Sequence, residues 1–141
     1  MKKLILLAVI ALFYSCSTTK VATKKSLFEV ILVNNDGGAN IKFYEILTEP
    51  KEINMLLGDE TLRKVIKPKD IIESSFLILN SGPTLENYNR IKILKVLETP
   101  TQVEVYVKDS QKNIDTTLAN NDTFFPYTIV KINSKKPIVF K

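Results

Sequence analysis

The chain contains no histidine and no tryptophan, and among its 141 residues there is one cysteine, Cys16. Without an imidazole, Ser/His/Asp and Cys/His nucleophilic sites are excluded, as are metal centres built on histidine or on several cysteines. One cysteine also means no disulfide within the chain, so the domain relies on its apolar core for stability. Glycine is scarce at four residues, and neither GxxxxGK nor GxGxxG occurs, which removes the common phosphate-cradling loops. No cofactor is expected. The positive charge is mild. The formal net charge is +5, but Lys2 and Lys3 fall within residues 1–15, and the remainder carries 18 cations against 15 acids, a net charge of +3. No dense basic patch with interleaved aromatics points to nucleic acid.

What is present begins with MKKLILLAVIALFYSCS. Two lysines precede Leu4 to Tyr14, an almost unbroken apolar stretch, and small polar residues follow. An eleven-residue helix spans only about 16 Å against roughly 30 Å of bilayer hydrocarbon, so the segment fits an export signal better than a transmembrane span. Ser15-Cys16-Ser17 behind this core resembles a bacterial lipobox, in which the cysteine receives acyl chains such as palmitate and becomes the first residue of the mature protein. Ser15 fits the pattern, while Phe13 and Tyr14 depart from it in the manner of the relaxed lipoboxes of the Bacteroidetes. Residues 1–15 are therefore expected to be a signal peptide and residues 16–26 a lipidated Cys16 with a polar, basic tether of at most about 30 Å. Ordinary signal cleavage leaving a free thiol is the alternative.

Residues 27–141 are expected to form one domain. LFEVILV and IKFYEIL read as strands separated by NNDGGAN, a segment rich in residues that tolerate positive φ, and together they suggest a hairpin. Between residues 48 and 66 the pattern changes to helical. Thr48 is a candidate cap, Pro50 fits a first turn, and Ile53, Leu56 and Leu57 share a face; Asp59 begins a further turn or two through Leu62, Val65 and Ile66, which Pro68 should end. SFLILNS, RIKILKVLE, QVEVYVKD and two terminal strands in FFPYTIVKINSKKPIVFK follow. In RIKILKVLE, strict alternation puts Ile91, Ile93, Lys95 and Leu97 on one face, and in QVEVYVKD it puts Val103, Val105 and Val107 inward. The expected fold class is α+β, a mainly antiparallel sheet of five to seven strands with one short helical segment packed on it.

Catalytic chemistry finds little support. Asp109, Asp115 and Asp122 fall in loops whose spacing matches no compact calcium site. The polar segment NSGPTLENYNR is more informative. Gly82 and Pro83 impose a turn, while Asn80, Glu86, Asn87, Tyr88, Asn89 and Arg90 offer donors and acceptors around one aromatic ring. Pro83, Thr84, Glu86, Asn87, Tyr88 and Arg90, together with the outward Tyr106, are the candidate partner-binding residues.

SFLILNSG, PTLENYNRIKI, VEVYVKD and above all FPYTIVKINSKKPIVF resemble the PrcB C-terminal-domain family, named for a subunit of a bacterial surface protease complex and widespread among envelope lipoproteins. The likeness covers about residues 43–140. Its most specific part has Pro126, Tyr127, Val130, Ile132, Pro137, Val139 and Phe140 at matching positions. The chain departs at residues 83–88, where the family has a glycine pair before its tyrosine and this sequence has Pro83, Thr84, Leu85, Glu86, Asn87 and Tyr88. The resemblance implies a non-enzymatic envelope protein, tethered to the membrane through Cys16, that binds or stabilises a partner protein such as an exported protease. A protease inhibitor or processing factor acting through residues 80–90, and a structural envelope lipoprotein, are the alternatives. No small-molecule substrate is expected, and the lack of acidic residues after Cys16 favours the periplasmic face over the cell surface.

Overall fold

The computed structural model describes residues 26–85, 90–109 and 123–141. The expected signal peptide, Cys16 and most of the expected tether lie outside the described residues, as does the polar segment at 110–122. The remainder forms an α+β fold with an antiparallel core of seven strands in two sheets and three short helices. The first sheet has the order β1-β6-β3-β2, with β1 Phe28–Asn34, β2 Lys42–Leu47, β3 Ser75–Ser81 and β6 Tyr127–Ile132. The second has the order β4-β5-β7, with β4 Lys92–Glu98, β5 Val103–Lys108 and β7 Ile138–Phe140. Every strand pairing is antiparallel except that of β5 with β7.

Three layers result. One side of the first sheet faces the second sheet, and Leu77, Leu79, Val130 and Ile132 pack there with Ile91, Val103 and Val105. The other side is covered by helices α1 Pro50–Leu56, α2 Glu60–Val65 and α3 Pro68–Glu73, where Ile53, Leu62 and Ile66 meet Phe76 and Ile129. A strand buried on both faces needs apolar residues at successive positions, which explains why SFLILNS and TIVKI run nearly unbroken where VEVYVK alternates.

The two strands expected to form a hairpin lie at opposite edges of the first sheet: β1 pairs with β6, and β2 with β3. NNDGGAN is too long for a tight two-residue turn, and the apolar β6 supplies β1 with a better-buried neighbour. The single helical segment is three helices. Asp59 caps α2 as its position suggests, its Oδ1 accepting from the Thr61 and Leu62 amides at 2.8 and 3.0 Å. Glu49, not Thr48, is the N-cap of α1, and Glu52 Oε2 accepts from its amide at 3.1 Å. Pro68 begins α3 instead of ending the helical region, because proline at the first helical position sacrifices no intrahelical bond.

Alternation in β4 is broken by a bulge between Ile93 and Lys95. Beyond it Val96 packs into the core, while Lys95 stands opposite Tyr106 on the outer face and Leu97 is exposed. A second bulge, between Val30 and Leu32, divides β1: Phe28 belongs to the core between the sheets, and Ile31 and Leu32 to the core beneath the helices. In β5, Val103 and Val105 are fully buried and Val107 packs against them, as alternation predicts.

The closing segment joins the layers. After β6 it turns through residues 133–137 and enters the second sheet as β7. Ser75 Oγ donates to the Ser134 carbonyl at 3.0 Å, Ser134 Oγ to Glu98 at 3.1 Å, and Lys136 Nζ to the Thr99 carbonyl at 2.8 Å. Phe140 then packs against Tyr44 with ring centroids 5.0 Å apart.

Lys131 is the charged exception within β6. Its ammonium lies 2.8 Å from Glu29 and 3.6 Å from the buried Asp70, whose other oxygen accepts from the Lys67 amide at the start of α3. Burial pulls the Lys131 pKa down, but the hydrogen bond to Glu29 and the Asp70 and Glu29 charges outweigh it, so the net shift is upward from 10.5. Replacing this lysine with methionine leaves Asp70 without a countercharge. Lys131→Met should therefore cost about 2–4 kcal/mol in urea unfolding at neutral pH. Because the folded pKa is raised, the lysine's contribution is complete below its unfolded pKa and disappears as pH rises through the folded value. On raising the pH from neutrality, the gap between wild type and variant should accordingly persist until strongly alkaline solution.

Candidate functional site

Three connections meet at one end of the first sheet: residues 35–41, 82–85 with Arg90, and 123–126. Asn80 is the post that holds them. It extends from β3 at 2% exposure, accepts from the Ala39 amide at 3.1 Å, and donates to the Ala39 and Ile41 carbonyls. The neighbouring chain has to come close for this to work. A Cβ on Gly38 would lie 2.3 Å from Asn80 Oδ1 and 2.7 Å from the Phe125 carbonyl, so glycine at this position permits the approach. The Gly38 amide donates to that carbonyl at 2.8 Å, and Asp36 Oδ1 accepts from the Phe125 amide at 3.0 Å.

The 82–85 connection is braced in turn. Gly82 adopts φ +72°, a turn conformation suited to glycine, and Thr84 exchanges two backbone hydrogen bonds with Phe124 at 2.8 and 2.9 Å. Thr84 is 1% exposed, so its side chain belongs to the interior of this brace, whereas Pro83 is half-buried. Ser81 Oγ accepts from the Ile91 amide at 3.0 Å and fixes the entry to β4. Arg90 Nη1 donates to Asn35 Oδ1 at 2.6 Å, tying this connection to the first. Glu86, Asn87 and Tyr88 lie outside the described residues.

Among the described residues, the mouth of the sandwich beside Arg90 is open. A recess of about 170 Å³ enters between the edge strands β1 and β4, lined by Val30, Val33, Ile91, Ile93 and Thr128 with Arg90 and Lys92. Val30 and Val33 are each 46% exposed. Three positions apart, they would face opposite sides of a regular strand; the β1 bulge brings both to the recess.

Tyr106 lies elsewhere, on the outward face of the second sheet. Its hydroxyl donates to Glu104 at 3.0 Å, Gln102 donates to the other Glu104 oxygen at 3.0 Å, and Lys95 Nζ sits 4.2 Å from the ring centroid. Among the described residues no hydrogen bond or ion pair joins this cluster to Arg90. Sequence reasoning singled out Arg90 but missed Val30, Val33 and Lys92; the available signal was β1 itself, an apolar strand whose single charge is Glu29.

Asp109 is 2.6 Å from Lys42, a pairing between the ends of β5 and β2 that raises the lysine pKa through the hydrogen bond and then the carboxylate charge. Asp115 and Asp122 lie outside the described residues. Among the described residues, no group of three potential metal ligands converges, and no helix is long and apolar enough to cross a membrane. No family model, curated protein or solved structure matches the chain.

The Glu104 cluster has a measurable signature. Hydrogen bonds from Tyr106 and then Gln102 lower the Glu104 pKa, and the same bond raises that of Tyr106. Tyr106→Phe should therefore move the Glu104 carboxyl titration, followed by NMR, back up toward the ordinary carboxylate value. The stabilising contribution of the bond is present above the unfolded Glu pKa and lost as pH falls through the lower folded one.

Proposed function

We propose that this chain is a lipid-anchored envelope protein whose PrcB-like domain, without catalysis of its own, binds or stabilises another exported protein, an exported protease being the leading partner. The observation that carries the reading is the open β1/β4 edge, where apolar Val30 and Val33 remain half in water beside a recess. Edge strands in monomers are ordinarily protected by lysine, proline or a covering element. FEVILVN has neither lysine nor proline, and its one charge, Glu29, is engaged by Lys131. An edge of this composition suits a protein partner. The resemblance of the closing segment to envelope lipoprotein domains supports the same class, and the apolar run ahead of Cys16 supports attachment to the membrane, with the periplasmic face preferred.

The braced base of the 82–90 segment favours a second reading, insertion of that segment into a protease groove as an inhibitor. Crosslinking in native membranes followed by mass spectrometry distinguishes the two. A stabilising partner is recovered as a lasting complex that retains activity, whereas an inhibitor abolishes peptidase activity at one-to-one stoichiometry. Recovery of no exported protein in repeated experiments would overturn both. The anchor has its own test: Cys16→Ser should move the protein from the membrane to the soluble fraction and remove the acyl mass from residue 16.

A further inference from the structure

We propose that the recess between β1 and β4 receives an extended acidic and apolar segment of the partner, added as a strand beside β1, with one apolar side chain in the recess and carboxylates against Arg90 and Lys92. The site rests on the protein-binding reading above and assigns its chemistry.

Size and shape restrict the occupant first. About 170 Å³ accommodates a valine- or leucine-sized side chain but falls short of the roughly 300 Å³ at which small-molecule sites begin. The recess is flanked by β1, which has β6 on one side and, among the described residues, no strand on the other. A peptide that pairs with such an edge gains backbone hydrogen bonds along its length and presents alternate side chains to the same face, so one of them meets the recess. Both flanking strands carry bulges here, and the β1 bulge is what turns Val33 inward alongside Val30.

Charge restricts the occupant further. Lys92 stands directly opposite Lys108, a like-charge pair that destabilises a ladder in the absence of a counterion. Arg90, the next cation along, has for its partner the neutral amide of Asn35. Nearby acids are committed elsewhere: Asp109 to Lys42, Glu29 to Lys131, and Glu104 to Tyr106 and Gln102. The rim therefore holds cations that no described carboxylate neutralises. A partner segment bearing Asp or Glu beside its apolar residues supplies the missing charge and relieves the Lys92–Lys108 repulsion.

The test uses the full chain and fluorescence anisotropy with a labelled decapeptide in which a central valine has glutamate two positions before and two positions after it, and threonine elsewhere, so that valine and carboxylates share one face of the added strand. Two controls carry lysine in place of glutamate or serine in place of valine. The acidic, apolar peptide should bind saturably and at least tenfold more tightly than either control. Arg90→Glu combined with Lys92→Glu should weaken it at least tenfold and favour the lysine peptide, with an unchanged circular dichroism spectrum. Val33→Asp, at a half-exposed position, should abolish binding, whereas Met55→Asp on the helical side should not affect it. Equal binding of the three peptides, or indifference to charge reversal, overturns the site. A self-association that Val33→Asp disrupts would also overturn it, in favour of a second copy of the chain. If the site fails while crosslinking still captures an exported partner, the broader reading stands; selective peptide binding with no captured partner supports the recess chemistry and overturns the broader reading.

Discussion

Strands β3 and β6 have to be covered on both faces, and the arrangement of the domain follows from that requirement. Leu77, Leu79, Val130 and Ile132 point to the second sheet, while Phe76 and Ile129 point to the helices. Neither layer alone suffices, since bare sheet on either side would leave several large side chains in water at about 1.5–3 kcal/mol each. The one charge in this strand pair, Lys131, is tolerated because β1 and α3 each bring a carboxylate to it. The ion pair thus reports the docking of the helical layer as well as the register of β1.

A sandwich of unequal sheets has edges that cannot all be alike. On one side β2 and β7 are tied together by the Tyr44–Phe140 contact, with the Lys42–Asp109 pair joining β2 to the end of β5. On the other, β1 and β4 flank the recess, and each carries a bulge. A bulge inserts one extra residue and so changes which side chains face a given side of the strand. In β1 this brings Val30 and Val33, on either side of the irregularity, to the recess together.

Periodicity revealed what local pattern controls. The alternating valines of β5, the continuous apolar run of β3, the two closing strands and the helical location of residues 50–66 were all legible. Long-range choices were less so. The β1–β2 hairpin was inferred from proximity, but pairing is decided by burial, and β6 lies over ninety residues away from β1 in sequence. The β4 face reversed because a bulge adds one residue, something alternation cannot register. Pro68 was read as a stop when its ring equally suits a start. At the candidate site, Arg90 was recognisable by its chemistry, yet Val30 and Val33 looked like ordinary core residues; their exposure depends on which strands become edges.

On the proposed reading, the anchor and the recess compensate for each other's limits. A single added strand with one seated side chain covers much less than the roughly 1,600 Å² of a standard stable interface, so such a contact is weak between proteins free in solution. Confinement on one membrane changes the problem. A tether of about ten residues keeps the domain close to the surface, and a partner exported to that surface meets it at the millimolar effective concentrations typical of short linkers. Weak recognition is then sufficient, and charge at Arg90 and Lys92 contributes mainly to selecting the segment and its orientation. If the anchor were removed, the recess would keep its preference for acidic, apolar chains but lose most of its occupancy, because geometry sets the preference while confinement sets the concentration.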